Sequence, residues 1–129
     1  MASIFSKIIE GEIPCYKIAE NEEFLAFLDI MPLVEGHTLV VPKKEIDYIF
    51  DIEDELLGRL HVFAKKVAQK IEKAIPCERI GVSVIGLEVP HAHIHLIPMN
   101  NVSDMNFSKE KLSLSKEQME SIAEKINQA

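Results

Sequence analysis

The stretch HAHIHLIP, residues 91–98, places three histidines at alternate positions in a chain that has only five. In a β-strand, side chains two residues apart share one face, and the residues between them point to the other face. Residues 91–97 are therefore predicted to form a strand with imidazoles on one face and apolar core on the other. The histidines are His91, His93 and His95, and the apolar residues that alternate with them are Ala92, Ile94 and Leu96.

A row of three imidazoles indicates a functional surface, because such a strand face gives up apolar burial and every ring needs hydrogen-bond partners. Neutral imidazoles bind zinc, although no cysteine is close in sequence and Glu88 is the only nearby acid. Alternatively, a neutral imidazole can attack phosphorus and form a covalent intermediate. A protonated neighbour can then neutralise phosphate oxygens or give a proton to the leaving group, since a histidine pKa of about 6.5 allows both states.

The length and net charge of the chain favour some classes of binding partner over others. A chain of 129 residues has a usual length for one domain, so we treat residues 1–129 as a single domain in which residues 99–129 form a C-terminal extension ending in a helix. The net charge of -7 disfavours binding to nucleic acid or to an anionic membrane, both of which favour clustered positive charge. A small phosphorylated ligand is compatible with it, because one site can be positive within a negative protein.

The cysteines and the N-terminal residues indicate the cellular compartment in which the protein is expected. Cys15 and Cys77 stand far apart and outside any CxxC pattern, which favours two free thiols in a reducing compartment. The N-terminal residues lack a charged start followed by an apolar signal core, and no run approaches the ~20 apolar residues of a membrane span. We therefore expect a cytoplasmic protein.

The hydrophobic periodicity predicts an α+β fold. An apolar stripe at helical spacing across residues 52–71, acidic at its start and basic at its end, indicates one long helix that Pro76 terminates. Shorter helices are expected near residues 4–9 and after the capping-box signature of Ser115 and Gln118. Strands are predicted over residues 15–19, 23–28, 37–42, 79–85 and 91–97. The short connections between strands favour a five-stranded, mainly antiparallel sheet with a long central helix and short N- and C-terminal helices.

The motif HAHIHLI, residues 91–97, resembles that of the histidine-triad family. Three further blocks resemble, in order, those of histidine-triad nucleotide-binding proteins: IFSKIIEGEIP (4–14), FLAFLDIMP (24–32) and GHTLVVPKKEI (36–46). The resemblance implies a five-stranded antiparallel sheet with a long helix, usually paired into a homodimer. It also implies a hydrolase or nucleotidyl transferase that acts at the α-phosphate of a purine nucleotide, such as a nucleoside phosphoramidate or a dinucleoside polyphosphate.

The same resemblance implies roles for individual residues. His93 would be the nucleophile that carries the nucleotidyl group, and His95 would contact the phosphate and assist the leaving group. His91 would orient the other two, His37 would support the triad, and Asp29 would bind the ribose hydroxyls. The base pocket would be lined by Ile30, Phe5 and Ile8. No cofactor is required for this step, and no metal ligand is assigned.

The segment before the triad departs from the family pattern. Leu87 stands where family members typically carry glutamine, and Glu88 stands where eukaryotic members often have a hydroxyl that contacts the scissile group. An ionised carboxylate turned inward would repel phosphate, so we expect Glu88 to point away or to pair with a cation. These two residues keep open a non-catalytic nucleotide-binding or interaction module. A zinc site on the histidine row is a further alternative.

Overall fold

The computed structural model describes residues 2–129, so Met1, with which the predicted domain begins, lies outside the described residues. Helices α1 to α3 span Ile4–Ile9, Asp54–Ala74 and Lys116–Gln128. Strands β1 to β5 span Lys17–Glu20, Phe24–Leu28, Thr38–Pro42, Arg79–Ser83 and Ile94–Met99, and short 3₁₀ turns lie at Ile49–Asp51 and Val102–Met105. The strands form one antiparallel sheet in the order β1-β2-β3-β5-β4, which confirms the predicted fold class.

One face of the sheet packs against α2 and α3. The apolar stripe of α2 is buried as predicted, and Leu60 and Ile71 are fully inaccessible to solvent. Alternate strand residues join them in one hydrophobic cluster: Phe24, Ala26, Leu28, Val40, Ile94 and Leu96. The buried face of α3 belongs to the same cluster: Met119, Ile122, Ala123 and Ile126. The C-terminal helix is therefore part of the main core.

The other face of the sheet packs against α1. Here Phe5 of α1 meets a smaller cluster of strand residues: Leu25, Phe27, Leu39 and Val41. His95 pairs with Leu39 in the register between β5 and β3, and cross-strand partners point to the same face. The histidines therefore belong to the face that α1 covers.

The histidine stretch departs from the prediction at its start. β5 begins at Ile94, three residues later than predicted, and it continues to Met99. The preceding backbone leaves the sheet because the N–H of Ala92 donates to the carbonyl of Ile46 at 2.7 Å instead of to a neighbouring strand. The alternation of faces is nevertheless confirmed, because Ala92, Ile94 and Leu96 are at most 1% exposed within the core on the α2 side. The other predicted elements are present and differ only at their ends.

A glycine fixes the entry to β3. Gly36 has a φ of 93°, a conformation that residues with a side chain rarely adopt. A Cβ at this position would lie 3.1 Å from Cγ1 of Ile75 and 3.2 Å from Cγ of Pro98. The turn thus needs glycine, and it sets the position of His37 immediately after it.

Two expectations from composition can be compared with the structure. Cys15 and Cys77 are both free thiols, as predicted. Among residues 2–129, no helix has the combination of length and apolar content needed to span a bilayer.

Candidate active site

Four histidines and one aspartate meet where the central strands begin and end. Asp29 follows β2 and His37 precedes β3, and the backbone N–H of Asp29 donates to the carbonyl of His37 at 3.0 Å. His95 lies in β5 next to β3, and His91 and His93 lie just before that strand. All four histidines are at most 7% exposed. Strand pairing therefore brings together residues that are distant in sequence.

His37 and His95 form a hydrogen-bonded pair whose protons can be assigned. Nδ1 of His37 lies 3.0 Å from the backbone N–H of Leu33, which can only donate. Neutral His37 therefore carries its proton on Nε2, and this N–H donates to Nδ1 of His95 at 2.9 Å. The proton of neutral His95 must then lie on its Nε2, at the other end of the ring.

Burial keeps both rings of this pair neutral. Desolvation, followed by the charges of Lys111 and His93, lowers the pKa of His37 to about 4. Desolvation, followed by the charges of His37 and His93, lowers the pKa of His95 to about 3. The sequence suggested a protonated imidazole beside the nucleophile. For His95 the structure favours the neutral ring, because a second proton would have to enter at Nδ1, which already accepts the bond from His37.

His93 presents an unprotonated nitrogen to the site. Its Nδ1 lies 2.7 Å from the carbonyl oxygen of His91, which can only accept, so Nδ1 carries the proton of the neutral ring. Among residues 2–129, Nε2 of His93 and Nε2 of His95 have no hydrogen-bond partner, and no unpartnered side-chain nitrogen or oxygen is buried. Both Nε2 atoms therefore reach solvent. The two ring centroids are 4.9 Å apart, close enough for one phosphate group to contact both.

His91 is fully buried in a polar network of its own. Its Nε2 donates to the carbonyl of Pro42 at 2.7 Å, so its Nδ1 accepts from the hydroxyl of Ser3 at 2.8 Å. The carboxylate of Glu45 accepts from the N–H of Ser3 at 2.7 Å and from the hydroxyl of Ser6 at 2.6 Å. These hydrogen bonds, that from the Ser3 backbone first, lower the pKa of Glu45 to about 2. Because both ring nitrogens of His91 bind within the protein, the three triad rings do not converge on one metal ion.

A different group of side chains comes closest to a metal-binding geometry. Candidate ligand atoms of Asp29, His37 and His95 all lie within 4.8 Å of one another. Nε2 of His37, however, donates to Nδ1 of His95 at 2.9 Å, and Oδ2 of Asp29 lies 3.6 Å from the same His37 nitrogen. An ion would have to replace the shared proton and separate the two rings. As arranged, His37 and His95 share a hydrogen bond while Asp29 lies beside them outside hydrogen-bond distance, so the three side chains are not a preformed metal site.

The residues predicted to bind the nucleotide differ in exposure, and one of them, Phe5, contacts His93. Phe5 is buried and meets the His93 ring edge-on, with centroids 4.9 Å apart. Ile8 is half-buried against the cluster that contains Phe5, whereas Ile30 is 69% exposed. Burial raises the pKa of the half-buried Asp29, which precedes Ile30. Phe5 and Ile8 thus serve as core as well, while Asp29 and Ile30 lie at an open edge.

The segment that departs from the family pattern is exposed. Leu87 is 88% exposed, and Glu88 is exposed and forms no ion pair among residues 2–129. The charge of Glu88 is a minor cause, after burial, of the raised pKa of Asp29. Within the part of the chain that the structure describes, Glu88 makes no hydrogen bond to the site, and its charge adds only a small part to the raised pKa of Asp29.

Three residues of the site were not identified from the sequence. Ser3 is the hydrogen-bond partner of His91, Glu45 accepts a hydrogen bond from Ser3, and the ring of Phe107 lies 4.8 Å from that of His95. Ser3 carries a signal only as the N-cap of α1, a role that it also fills by accepting from the N–H of Ser6. Glu45 lies within the family-like block 36–46 but has no assigned role there, and Phe107 stands in no recognisable motif. Tertiary contacts alone bring them to the histidines.

Comparison with known proteins identifies the family to which the chain belongs. A family model described as the HIT domain matches residues 10–102. The chain is 33% identical to an uncharacterized HIT-like protein of Borreliella burgdorferi, over 96% of this chain and 95% of that protein. It is 35% identical to adenosine 5'-monophosphoramidase of Schizosaccharomyces pombe, over 98% of this chain and 97% of that protein.

A solved structure has the same architecture. The crystal structure of a HIT-like protein involved in cell-cycle regulation from Bartonella henselae, which holds an unknown ligand, superposes with a TM-score of 0.83. The two are 33% identical, and the alignment covers 98% of this chain and 95% of that chain. The family match, these relatives and the shared architecture together show that the chain belongs to the histidine-triad family.

Proposed function

We propose that the protein is a nucleotidyl hydrolase or transferase that cleaves a bond to the α-phosphate of a purine nucleotide through a covalent intermediate on His93. The observation that carries the proposal is the pair of solvent-facing Nε2 atoms on neighbouring rings, one of them an unprotonated nucleophile and the other an N–H donor. The Schizosaccharomyces pombe relative is an adenosine 5'-monophosphoramidase, which supports a nucleoside phosphoramidate as the substrate class.

In the first step, Nε2 of His93 attacks phosphorus, and the bond from phosphorus to the leaving nitrogen or oxygen breaks with its electron pair. The N–H at Nε2 of His95 donates a hydrogen bond to a phosphate oxygen and stabilises the charge that develops there. A departing amine takes its proton from solvent. In the second step, water attacks phosphorus, the nucleotide leaves His93, and the proton of the water passes to solvent.

The remaining site residues hold this arrangement in place. The carbonyl of His91 fixes the tautomer of His93, and the N–H of His37 fixes that of His95. Asp29 is proposed to bind the ribose hydroxyls, and the base is proposed to lie among Phe5, Ile8 and Ile30. The step needs no metal or cofactor, because the nucleophile and the hydrogen-bond donor are both side chains.

A second copy of the chain is the proposed macromolecular partner. β4 is an edge strand of the sheet, and its exposed face carries apolar surface at Val82, 58% exposed, followed by Ile85, 43% exposed. An unpaired edge of this kind can add a strand from another chain. A homodimer with a continuous sheet is therefore the assembly that we propose. Nucleic acid and membranes are not proposed as partners, given the net charge of -7.

Turnover of an adenosine phosphoramidate tests the proposal. The protein is incubated with the substrate, with and without a chelator, and AMP release is followed by chromatography. The wild-type protein is expected to release AMP in both conditions, whereas His93→Ala lowers kcat by at least about 10⁴-fold because the nucleophile is lost. Turnover that survives in His93→Ala would contradict the mechanism.

The alternatives give different results in the same assay. Loss of turnover on chelation would favour a metal ion held by the group of Asp29, His37 and His95. Tight binding of AMP without turnover would favour a non-catalytic nucleotide-binding module. His61→Gln serves as the matched control, because His61 is an exposed histidine of α2 whose hydrogen bonding within residues 2–129 is to the carbonyl of Leu57 on its own helix.

A further inference from the structure

The connection between β5 and α3, residues 100–115, crosses the histidine site and is called the strap here. Near its start lies the short turn Val102–Met105, where the carboxylate of Asp104 accepts from the backbone N–H groups of Asn100 at 2.8 Å and Asn101 at 2.9 Å. Near its other end, the backbone N–H of Leu112 donates to the carbonyl of Pro32 at 2.8 Å. Pro32 lies in the loop between Asp29 and His37, so the strap is joined to the loop that supplies two site residues.

The middle of the strap is held by its own hydrogen bonds. Nζ of Lys111 donates to the carbonyl of Phe107 at 2.6 Å and more weakly to that of Lys109 at 3.3 Å. The side chain of Asn106 accepts from the N–H of Ser108 at 2.9 Å. These contacts fix the backbone on both sides of Phe107. Most of the strap lies beyond residue 102, where the match to the family model ends.

Phe107 brings an apolar ring against the neutral histidine pair. Its centroid lies 4.8 Å from that of His95 at an interplanar angle of 71°, and 6.2 Å from that of His37 at 80°. Both are edge-to-face contacts. A phenyl ring offers no group that can compete for the hydrogen bond between the two imidazoles, and it takes the place of water beside them.

We propose that Phe107 is a positioning residue that shields the hydrogen bond between His37 and His95 from water, and so holds the proton of His95 at Nε2 for the phosphate. The inference deepens the proposed function and rests on it. In water, an imidazole can exchange its partner and tautomer, whereas a hydrogen bond in a dry environment is stronger and geometrically fixed. The burial that lowers the pKa of both rings agrees with this role.

The titratable and charged groups around the pair come from three other parts of the chain. His93 precedes β5, Asp29 follows β2, and Lys111 belongs to the strap; the carboxylate of Asp29 lies 3.6 Å from Nε2 of His37. The charges of Lys111 and His93 lower the pKa of His37, and that of His93 lowers the pKa of His95. Phe107 carries no charge. Its replacement therefore changes hydration while leaving these charges in place.

Variants of Phe107 test the inference through two readouts. Phe107→Ala is expected to lower kcat for an adenosine phosphoramidate by on the order of tenfold with little change in KM, and to move the acid limb of the kcat profile to higher pH. It is also expected to speed the exchange with water of the Nε2 proton of His37, followed by proton NMR. Phe107→Leu should restore most of both properties, because leucine is apolar and also displaces water.

Val102→Ala is the matched control, since Val102 lies in the same strap and is 90% exposed. It should behave as the wild-type protein in both readouts. Unchanged proton exchange together with an unchanged pH profile in Phe107→Ala would overturn the inference. If the wild-type protein shows no turnover, the proposed function fails, and the proton exchange alone then decides whether Phe107 shields the pair.

Discussion

The two faces of the sheet differ in how many contacts hold each residue in place. On the α2 face, side chains from several strands and two helices share one apolar cluster, so each residue is surrounded by many partners. On the α1 face, each histidine depends on one or two named hydrogen bonds: His37 on Leu33, His95 on His37, and His93 on the carbonyl of His91. Stability is therefore concentrated on the first face, and the geometry of the proposed chemistry on the second.

A core substitution on the α2 face should separate the two properties most clearly. Leu60→Ala removes a fully buried side chain, and we expect it to lower the free energy of unfolding by about 2–5 kcal/mol. Urea unfolding measures this loss, and kcat per folded molecule should stay the same. Val62→Ala is the control, since Val62 lies on the same helix and is 54% exposed; its effect should be within about 0.5 kcal/mol. A fall in kcat that parallels the loss of stability would show that the two faces are not independent.

A lower pH should destabilise the protein through the histidines on the α1 face. The pKa values of His37 and His95 fall from 6.5 to about 4 and about 3, so below pH 6.5 the unfolded chain binds protons that the folded protein does not. Stability is therefore lost as pH falls, by about 2 kcal/mol per histidine at pH 5. The raised pKa of Asp29 acts in the opposite direction at lower pH.

Urea unfolding at pH 7 and pH 5 measures this loss. His37→Asn removes one titrating group while it keeps an acceptor and a donor, so its loss between the two pH values should be smaller. His61→Gln, at an exposed position, should match the wild-type protein. Equal pH dependence in His37→Asn and the wild-type protein would show that His37 is not held neutral in the fold.

Removing the N-cap serines of α1 and α3 should give smaller losses of stability that can be compared directly. Ser115 caps α3 in an exposed position, and Ser115→Ala should lower the free energy of unfolding by about 1 kcal/mol. Ser3 caps α1 and also donates to Nδ1 of buried His91. Ser3→Ala should therefore lower the free energy of unfolding by about 1 kcal/mol more than Ser115→Ala does, because that nitrogen loses its partner. Only Ser3→Ala should lower kcat. Equal losses of stability and unchanged kcat in both variants would remove the role assigned to Ser3.

The same contrast explains what the sequence could predict. Alternation and helical periodicity report which side chains are buried, so the five strands, the α2 stripe and the Ser115 cap followed from local patterns. The start of β5 could not be predicted from local patterns, because it depends on the hydrogen bond from Ala92 to Ile46, 46 positions earlier in the sequence. The neutral state of His95 also required the structure, because it follows from burial and from the N–H of Leu33 acting through His37.

Some residues of the site could also be identified from the sequence, and others could not. The resemblance identified the histidines and Asp29, and the structure places them together at the ends of the central strands. Phe107 could not be identified, since one aromatic residue in a polar segment has no pattern that distinguishes a strap over the site from an exposed loop. Its contact with His95 is visible only when the chain is folded.

The proposed mechanism depends most on Nε2 of His93 being the nitrogen that forms the bond to phosphorus. The direct measurement is to mix the protein with an adenosine phosphoramidate, quench at alkaline pH within one turnover, and map the modified peptide by mass spectrometry. We expect one nucleotidyl group on His93, with nitrogen-15 NMR placing it on Nε2, and no adduct in His93→Ala. An adduct on His91, His95 or another residue, or AMP release without any adduct at saturating substrate and rapid quench, would contradict the account.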